Sequence, residues 1–349
     1  FFNQSPTFMN YLVFPILRLL SDSQYHSTLS ISSRFNCSTN DICKALNDIA
    51  ALGIELSARN NYYRWEAPVQ WLDSRLILKE SGFSEAYYDV IVLNVTESTN
   101  NFLLNRYKAN YSVEQRNLEK ISVVAAELQT GGRGRLNRRW YSGLGDSLTF
   151  SIGCWFNQNI SALTGLSLVI GMAILRTLNY FSIFNAHLKW PNDIVSDAHY
   201  HKLAGVLVDF RSISNCLSYV VIGIGVNFNL SSIVRAHINH SVTDLYSLAG
   251  RKINRNSFCG ILLAKLHQIL IDFEKYGFNY FKDEWINSHA FEGKSVYLTL
   301  PDHSVLEGVV RGIGEDGSLC LLIKESLKSF HVGDVSIRIK HDSIESIGD

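Results

Sequence analysis

The densest concentration of chemistry in the sequence is Gly131-Gly132-Arg133-Gly134-Arg135-Leu136-Asn137-Arg138-Arg139-Trp140. It holds four arginines and three glycines in ten residues, with no acid. Guanidinium forks grip phosphate or carboxylate through paired charge-assisted bonds, and glycine lets backbone N–H groups approach the same anion. Trp140 adds a flat face for a base or another ring. The simpler alternatives are a solvated basic loop or an RNA-binding patch. The absence of lysine and the glycine interleaving favour an ordered anion pocket.

Four further segments have spacings that suit a site. Lys189-Trp190-Pro191-Asn192-Asp193 sets a cation, an amide and a carboxylate at a sharp turn, although turn chemistry alone accounts for Pro-Asn-Asp. Lys202 precedes Leu203-Ala204-Gly205-Val206-Leu207-Val208-Asp209, an apolar strand with Gly205 inside it, and such a glycine marks close approach of a ligand or another backbone. Val221-Ile222-Gly223-Ile224-Gly225-Val226-Asn227 is a second strand with paired glycines. It is not a dinucleotide fingerprint, because the third glycine and the following helix are missing. Thr96-Glu97-Ser98-Thr99-Asn100 closes a strand and equally suits a helix N-cap.

The chain that must position these groups has 349 residues, 46% hydrophobic and 18% charged, with Lys+Arg 32 balancing Asp+Glu 32. That length suggests two or three domains, and the composition excludes a disordered chain. Zero net charge removes any global argument for nucleic acid or an acidic membrane. The six cysteines stand singly, without a C-x-x-C pair, and the eleven histidines form no ligand pattern. They read as reduced, mostly core thiols rather than a disulfide framework or zinc site. The apolar runs Tyr11–Leu20 and Leu163–Leu175 fall short of the roughly 20 residues of a membrane span, and no signal peptide is expected. A soluble, cytoplasmic protein without membrane association follows as the expectation.

Helices are expected at Phe8–Leu20, Leu29–Phe35 and after Ser38, then a two-stranded wing, Ile54–Ala58 and Tyr62–Trp65, turning at Asn60-Asn61. That order outlines a winged helix-turn-helix. A connector begins at Pro68. Strands are expected at 90–95, 121–128, 147–156, 187–190, 203–209 and 218–228, with amphipathic helices at 163–181 and 257–276. Strands mixed with helices in this way favour an α/β or α+β sheet domain. Short strands at 295–300, 305–313, 318–322 and 335–339 suggest a small closed β-barrel.

Taken together, ESTN at 97–100, AELQTGGRGRLNRRW at 126–140, LKWPND at 188–193, KLAGVLVD at 202–209, GIGVNF at 223–228 and GDVSIR at 333–338 resemble the biotin protein ligase family. The nearest form is the three-domain bacterial one that doubles as a biotin-operon repressor. The resemblance implies an α+β architecture: a winged helix-turn-helix over 1–70, a linker over 71–88, a class II synthetase-like biotin/lipoate ligase domain over 89–288 and a Src-homology-3-like barrel over 289–349. It implies ATP-dependent formation of biotinyl-5′-AMP, then transfer of biotin to a lysine of the biotin carboxyl carrier protein of acetyl-CoA carboxylase. It assigns biotin to Ser98, Thr99, Asn100, Gln129, Gly132, Arg133, Arg135, Lys202 and Gly205, with Lys202, Arg133 and Arg135 as the catalytic cations. It assigns ATP or the adenylate to Arg138, Trp140, Lys189, Asn192, Asn227 and Arg338, and Mg²⁺ to Asp193. Operator DNA, and a second copy of the chain once the adenylate is bound, are the further partners it implies.

The chain departs from the family in places. Asn137 stands where the arginine loop has a glycine, and asparagine tolerates the positive φ required there. Leu136, Val206 and Asp334 are milder changes. Over residues 1–70 five bases meet five acids, and the helix after Ser38 carries Asp41 and Asp48 with only Lys44. Phosphate neutralisation is therefore weak, which leaves operator binding and a purely structural module both open. The competing functions are a lipoate or octanoate protein ligase, and a biotin-responsive DNA-binding regulator without ligase activity.

Overall fold

The computed structural model describes residues 9–110, 120–197, 199–214, 216–331 and 336–340. In chain order the first elements are α1 (Val13–Leu20), β1 (His26–Ser27), α2 (Thr28–Phe35), α3 (Thr39–Ala51), β2 (Ser57–Arg59), β3 (Tyr62–Arg64), α4 (Ser74–Ser81), β4 (Tyr88–Thr96), α5 (Thr99–Asn110), β5 (Ile121–Gln129) and β6 (Ser147–Phe156). There follow α6 (Leu166–Tyr180), β7 (Ala186–Lys189), β8 (Asp193–Ser196), β9 (Lys202–Ser214), β10 (Leu217–Asn227), α7 (Ser232–Ala236), α8 (Leu245–Ala249), α9 (Arg255–Tyr276) and α10 (Lys282–Asn287). The chain closes with β11 (Ser295–Thr299), β12 (Val305–Ile313), β13 (Leu319–Ile323), β14 (Ser326–Phe330) and β15 (Ser336–Ile339). These form two compact units, Phe1–Cys154 with Val221–Ile261, and Trp155–Val220 with Leu262–Asp349.

The first unit begins with three short helices and a three-stranded sheet of order β1-β3-β2. Helix α1 starts at Val13, later than the expected start at Phe8, which lies outside the described residues. Pro15 falls in its first turn, where a missing N–H costs nothing. Ser38 and Asp41 make a reciprocal capping box at the start of α3. The β2–β3 hairpin turns through Asn60 and Asn61 at φ 49° and 66°, conformations that asparagine adopts readily. Ile16, Leu17, Leu20, Ile31, Ile42 and Ile49 pack into one apolar cluster with Trp65, and that cluster extends to Leu128 of β5 and to Leu144 in the turn before β6.

The connector is not an open linker. Asp73 caps α4, a helix unforeseen from the sequence. The Arg255 guanidinium holds the Gln70 carbonyl and also reaches Glu127 Oε2 at 2.6 Å. The Asn256 amide donates to Trp71 O at 2.9 Å and accepts from Asp73 N at 2.8 Å. Parallel β4 and β5 joined through α5, antiparallel β6, and the end of β10 complete this unit's sheet.

In the second unit the sheet runs β10-β9-β8-β7, with ten residues of α6 buried. The stretch Ile160–Tyr180 has the length and apolarity to cross a membrane, contrary to the sequence expectation, yet α6 packs against β7, β8 and β9 as a core helix does. Five antiparallel strands, β14-β13-β12-β11-β15, form the C-terminal sheet. Strand β14 was unforeseen, and the start of the expected 335–339 strand lies outside the described residues. No disulfide joins the six cysteines, of which Cys154, Cys259 and Cys320 are buried. Cys43 and Cys216 are exposed, so the expectation of mostly core thiols holds for half of them.

Candidate active site

In the first unit, parallel pairing sets Thr96 beside Gln129, and this register brings the start of α5 to the end of β5. Thr99 N donates to Gln129 Oε1 at 2.8 Å, and Thr99 Oγ1 lies 3.0 Å from the same atom. Ser151 Oγ, from the middle of β6, is 2.6 Å from both Thr99 Oγ1 and Asn100 Oδ1. Ser98, Thr99, Asn100, Gln129 and Ser151 are all buried. A cluster of hydroxyls and carboxamides without a charge suits a neutral polar head. Any side chain at Gly223 would run into the Asn100 carboxamide, so that glycine is required here by close approach.

The arginine loop is ordered around its own backbone. Trp140 N donates to Gly132 O at 2.9 Å and Gly134 N to Arg138 O at 2.7 Å, while Arg133 and Arg139 form an antiparallel bridge. The tip, Arg135–Asn137, is a single 3-10 turn in which Leu136, not Asn137, takes the left-handed conformation (φ 57°, ψ 37°). The expected role of Asn137 therefore passes to its neighbour. Arg133 donates to Asn101 Oδ1 at 2.7 Å, and Arg139 to Thr130 O at 2.6 Å. Arg138 is exposed and Arg135 half-buried. The Trp140 indole lies against the backbone of Gly225, where a Cβ would come within 2.5 Å of the ring. Asn227, expected at the nucleotide, is buried and donates to Thr243 O at 3.0 Å.

The second unit gathers the other cations. Lys189 pairs across the β7–β8 hairpin with Asp193, through a turn containing the cis Trp190–Pro191 bond. Trp190 is core: its indole N–H donates to Gly317 O at 3.0 Å. Asn192 is tied to β9, its side-chain amide donating to Val206 O at 2.7 Å while its backbone carbonyl accepts from Val206 N at 2.9 Å. Gly205 stands opposite Asp193 in the β8–β9 register. Lys202 Nζ lies 2.7 Å from Asp193 Oδ1, with about a fifth of each side chain exposed. Arg338 sits on the exposed side of β15, opposite Tyr297. Among the described residues no group of three or more His, Cys, Asp or Glu could hold a metal.

Sequence reasoning missed Ser151 and the Glu127–Arg255 pair. Both lie in strands or helix starts that read as packing, and only the tertiary pairing reveals them.

A model of the biotin/lipoate A/B protein ligase family matches residues 92–227, and one of the biotin protein ligase C-terminal domain matches 292–338. The bifunctional ligase/repressor BirA of Salmonella typhimurium is 30% identical over 325 residues, 93% of this chain and 96% of that one. The chain belongs to the biotin protein ligase family. A second member, the biotin–[acetyl-CoA-carboxylase] ligase of Mycobacterium tuberculosis, is 28% identical across 73% of this chain and 91% of its own. Among solved structures, the biotin protein ligase of Aquifex aeolicus in complex with biotin and ATP superposes with a TM-score of 0.57. It is 26% identical and covers 72% of this chain and 99% of that one.

Proposed function

We propose that the protein is an ATP-dependent biotin–protein ligase. The observation that carries this reading is the buried Thr99–Gln129–Ser151–Asn100 network. A ureido ring offers both N–H and C=O groups to such a set. A lipoyl dithiolane offers no hydrogen-bonding group to the donors and acceptors that such a set keeps beyond its internal bonds, at a cost of about 1–3 kcal/mol for each left unpaired.

Two reactions follow one another. A biotin carboxylate oxygen attacks the α-phosphorus of ATP, the bond to pyrophosphate breaks, and biotinyl-5′-AMP forms. A lysine amine of the acceptor then attacks the acyl carbon, AMP leaves, and an amide remains after loss of a proton. The acceptor is the biotin carboxyl carrier protein of acetyl-CoA carboxylase. The obstacle to the first step is repulsion between carboxylate and triphosphate, and fixed cations where charge develops are the remedy. Lys202, Arg133 and Arg135 take that role. Arg138, Trp140, Lys189, Asn192, Asn227 and Arg338 attend the nucleotide, and Gly132 and Gly205 line the biotin. Asp193 suits a magnesium ion that draws most of its ligands from phosphate and water. Such an ion supplies charge neutralisation on the polyphosphate.

The site belongs to the proposed 89–288 domain, between a winged helix-turn-helix over 1–70 with its 71–88 linker and a Src-homology-3-like barrel over 289–349. The protein acts in the cytoplasm. Biotin-dependent exchange of labelled pyrophosphate into ATP tests the reading. We expect exchange in the intact protein and its loss in Arg135→Ala; folded protein without exchange overturns the assignment.

A second reading, operator binding, gains support from α3. Its acids are engaged within their own module: Asp41 is held in the capping box, and Asp48 accepts from Asn10 N at 3.1 Å. The exposed positions are Thr39, Asn40, Cys43, Lys44, Asn47, Ala50 and Ala51, and asparagine can pair with an adenine edge. Electrophoretic retardation on the protein's own biotin-synthesis promoter, with and without biotin plus ATP, tests this and reports dimerisation on adenylate formation. No shift under either condition refutes it.

A further inference from the structure

We infer that Ser151 is a positioning residue that fixes the direction of the Thr99 hydroxyl proton, so that Thr99 Oγ1 meets a ligand N–H purely as an acceptor while Gln129 Nε2 meets the ligand carbonyl as a donor. The inference rests on the biotin reading above and deepens it.

Ser151 is fully buried, with its oxygen 2.6 Å from Asn100 Oδ1 and 2.6 Å from Thr99 Oγ1. Such distances belong to O–H···O bonds and are shorter than the usual N–H···O range, so the carboxamide oxygen of Asn100 is the atom facing Ser151. That oxygen has no proton, and Ser151 has one. Ser151 therefore donates to Asn100, and the proton between Ser151 and Thr99 comes from Thr99. The 3.0 Å approach of Thr99 Oγ1 to Gln129 Oε1 competes for that same proton, and the shorter contact takes it. Gln129 Oε1 is already paired, since the Thr99 backbone N–H can only donate and stands 2.8 Å away. The Gln129 amide orientation is thereby set, with Nε2 on the side of Gly132, where a Cβ would come within 3.2 Å of it.

Without Ser151 only the longer 3.0 Å contact to Gln129 Oε1 restrains the Thr99 proton, which can then swing toward the ligand and oppose a ureido N–H. The test compares biotin with its two isomeric cyclic carbamates, in which one or the other ring N–H is replaced by oxygen. Affinities are measured by calorimetry on the full chain, intact and as Ser151→Ala. We expect the preference for biotin over one carbamate to narrow about tenfold in Ser151→Ala, and over the other isomer to stay unchanged. Ser151→Cys, a weaker donor, should fall between, and it decides by the same ratio if the alanine variant does not fold. A purely structural loss weakens all three ligands alike and leaves both ratios unmoved, which overturns the inference alone. If the intact protein binds no biotin, the biotin reading fails and this one with it.

Discussion

The two clusters of candidate site residues are built on opposite principles. The Thr99–Gln129–Ser151 network is buried, uncharged and fixed by short hydrogen bonds between strand and helix ends. The Lys202–Asp193 pair is charged, about a fifth exposed, and carried on neighbouring strands. A neutral head group is selected by stringency, because every misplaced donor stays buried and unpaired. Anions that change charge during a reaction need cations that are hydrated at rest and engaged when water leaves. Under the proposed function, selectivity and reactivity fall to different kinds of environment within one chain.

Breaking each cluster should yield distinct defects. Lys202→Ala should lower pyrophosphate exchange on the order of 10²–10³-fold, with calorimetric biotin affinity changing far less. A parallel loss of affinity and rate would blur the division. Beneath the neutral network, Glu127 and Arg255 form an ion pair with side chains 0% and 4% exposed. Arg255→Met should strand the Glu127 carboxylate and lower urea-unfolding stability by about 3–5 kcal/mol. Gly223→Ala should displace Asn100 and weaken biotin binding about tenfold to a hundredfold, while ATP affinity measured separately stays near that of the intact protein.

The smallest effect concerns pH. His289 in the second unit is fully buried against Trp285, and burial holds its pKa below the usual histidine value, opposed in part by Glu292 at 3.9 Å; Lys294 and Lys189 lower it further. A depressed histidine pKa means that the unfolded chain binds the proton more readily. Its stabilising contribution is therefore full above about pH 6.5 and is lost as pH falls below that. Melting temperature should drop between pH 7.5 and 5.5, and His289→Phe should flatten that slope.

Much of this was legible in the sequence, for identifiable reasons. The Ser38 cap, the Asn60-Asn61 turn and the periodic apolar runs act locally, so their elements appear where expected. Helix α4 and strand β8 escaped notice because they are short and their apolar faces are defined by distant partners. The arginine loop announced itself by composition, yet its left-handed residue fell on Leu136 rather than Asn137, since closure is set by the Arg133–Arg139 bridge and not by local preference. Ser151 looked like any small residue in a buried strand, and its chemistry exists only through Thr99 and Asn100.

The apolar cluster that joins α1 and α3 to Leu128 and Leu144 has a practical corollary. Leu128 is the residue before Gln129, and Ala51 and Leu52 line a crevice together with Gln129 itself. Cutting the chain at the connector would peel away one wall of that crevice and bare an oily scar directly behind Gln129. An isolated ligase fragment should therefore stick to itself and hold its vitamin loosely, whether or not the removed portion ever touches DNA.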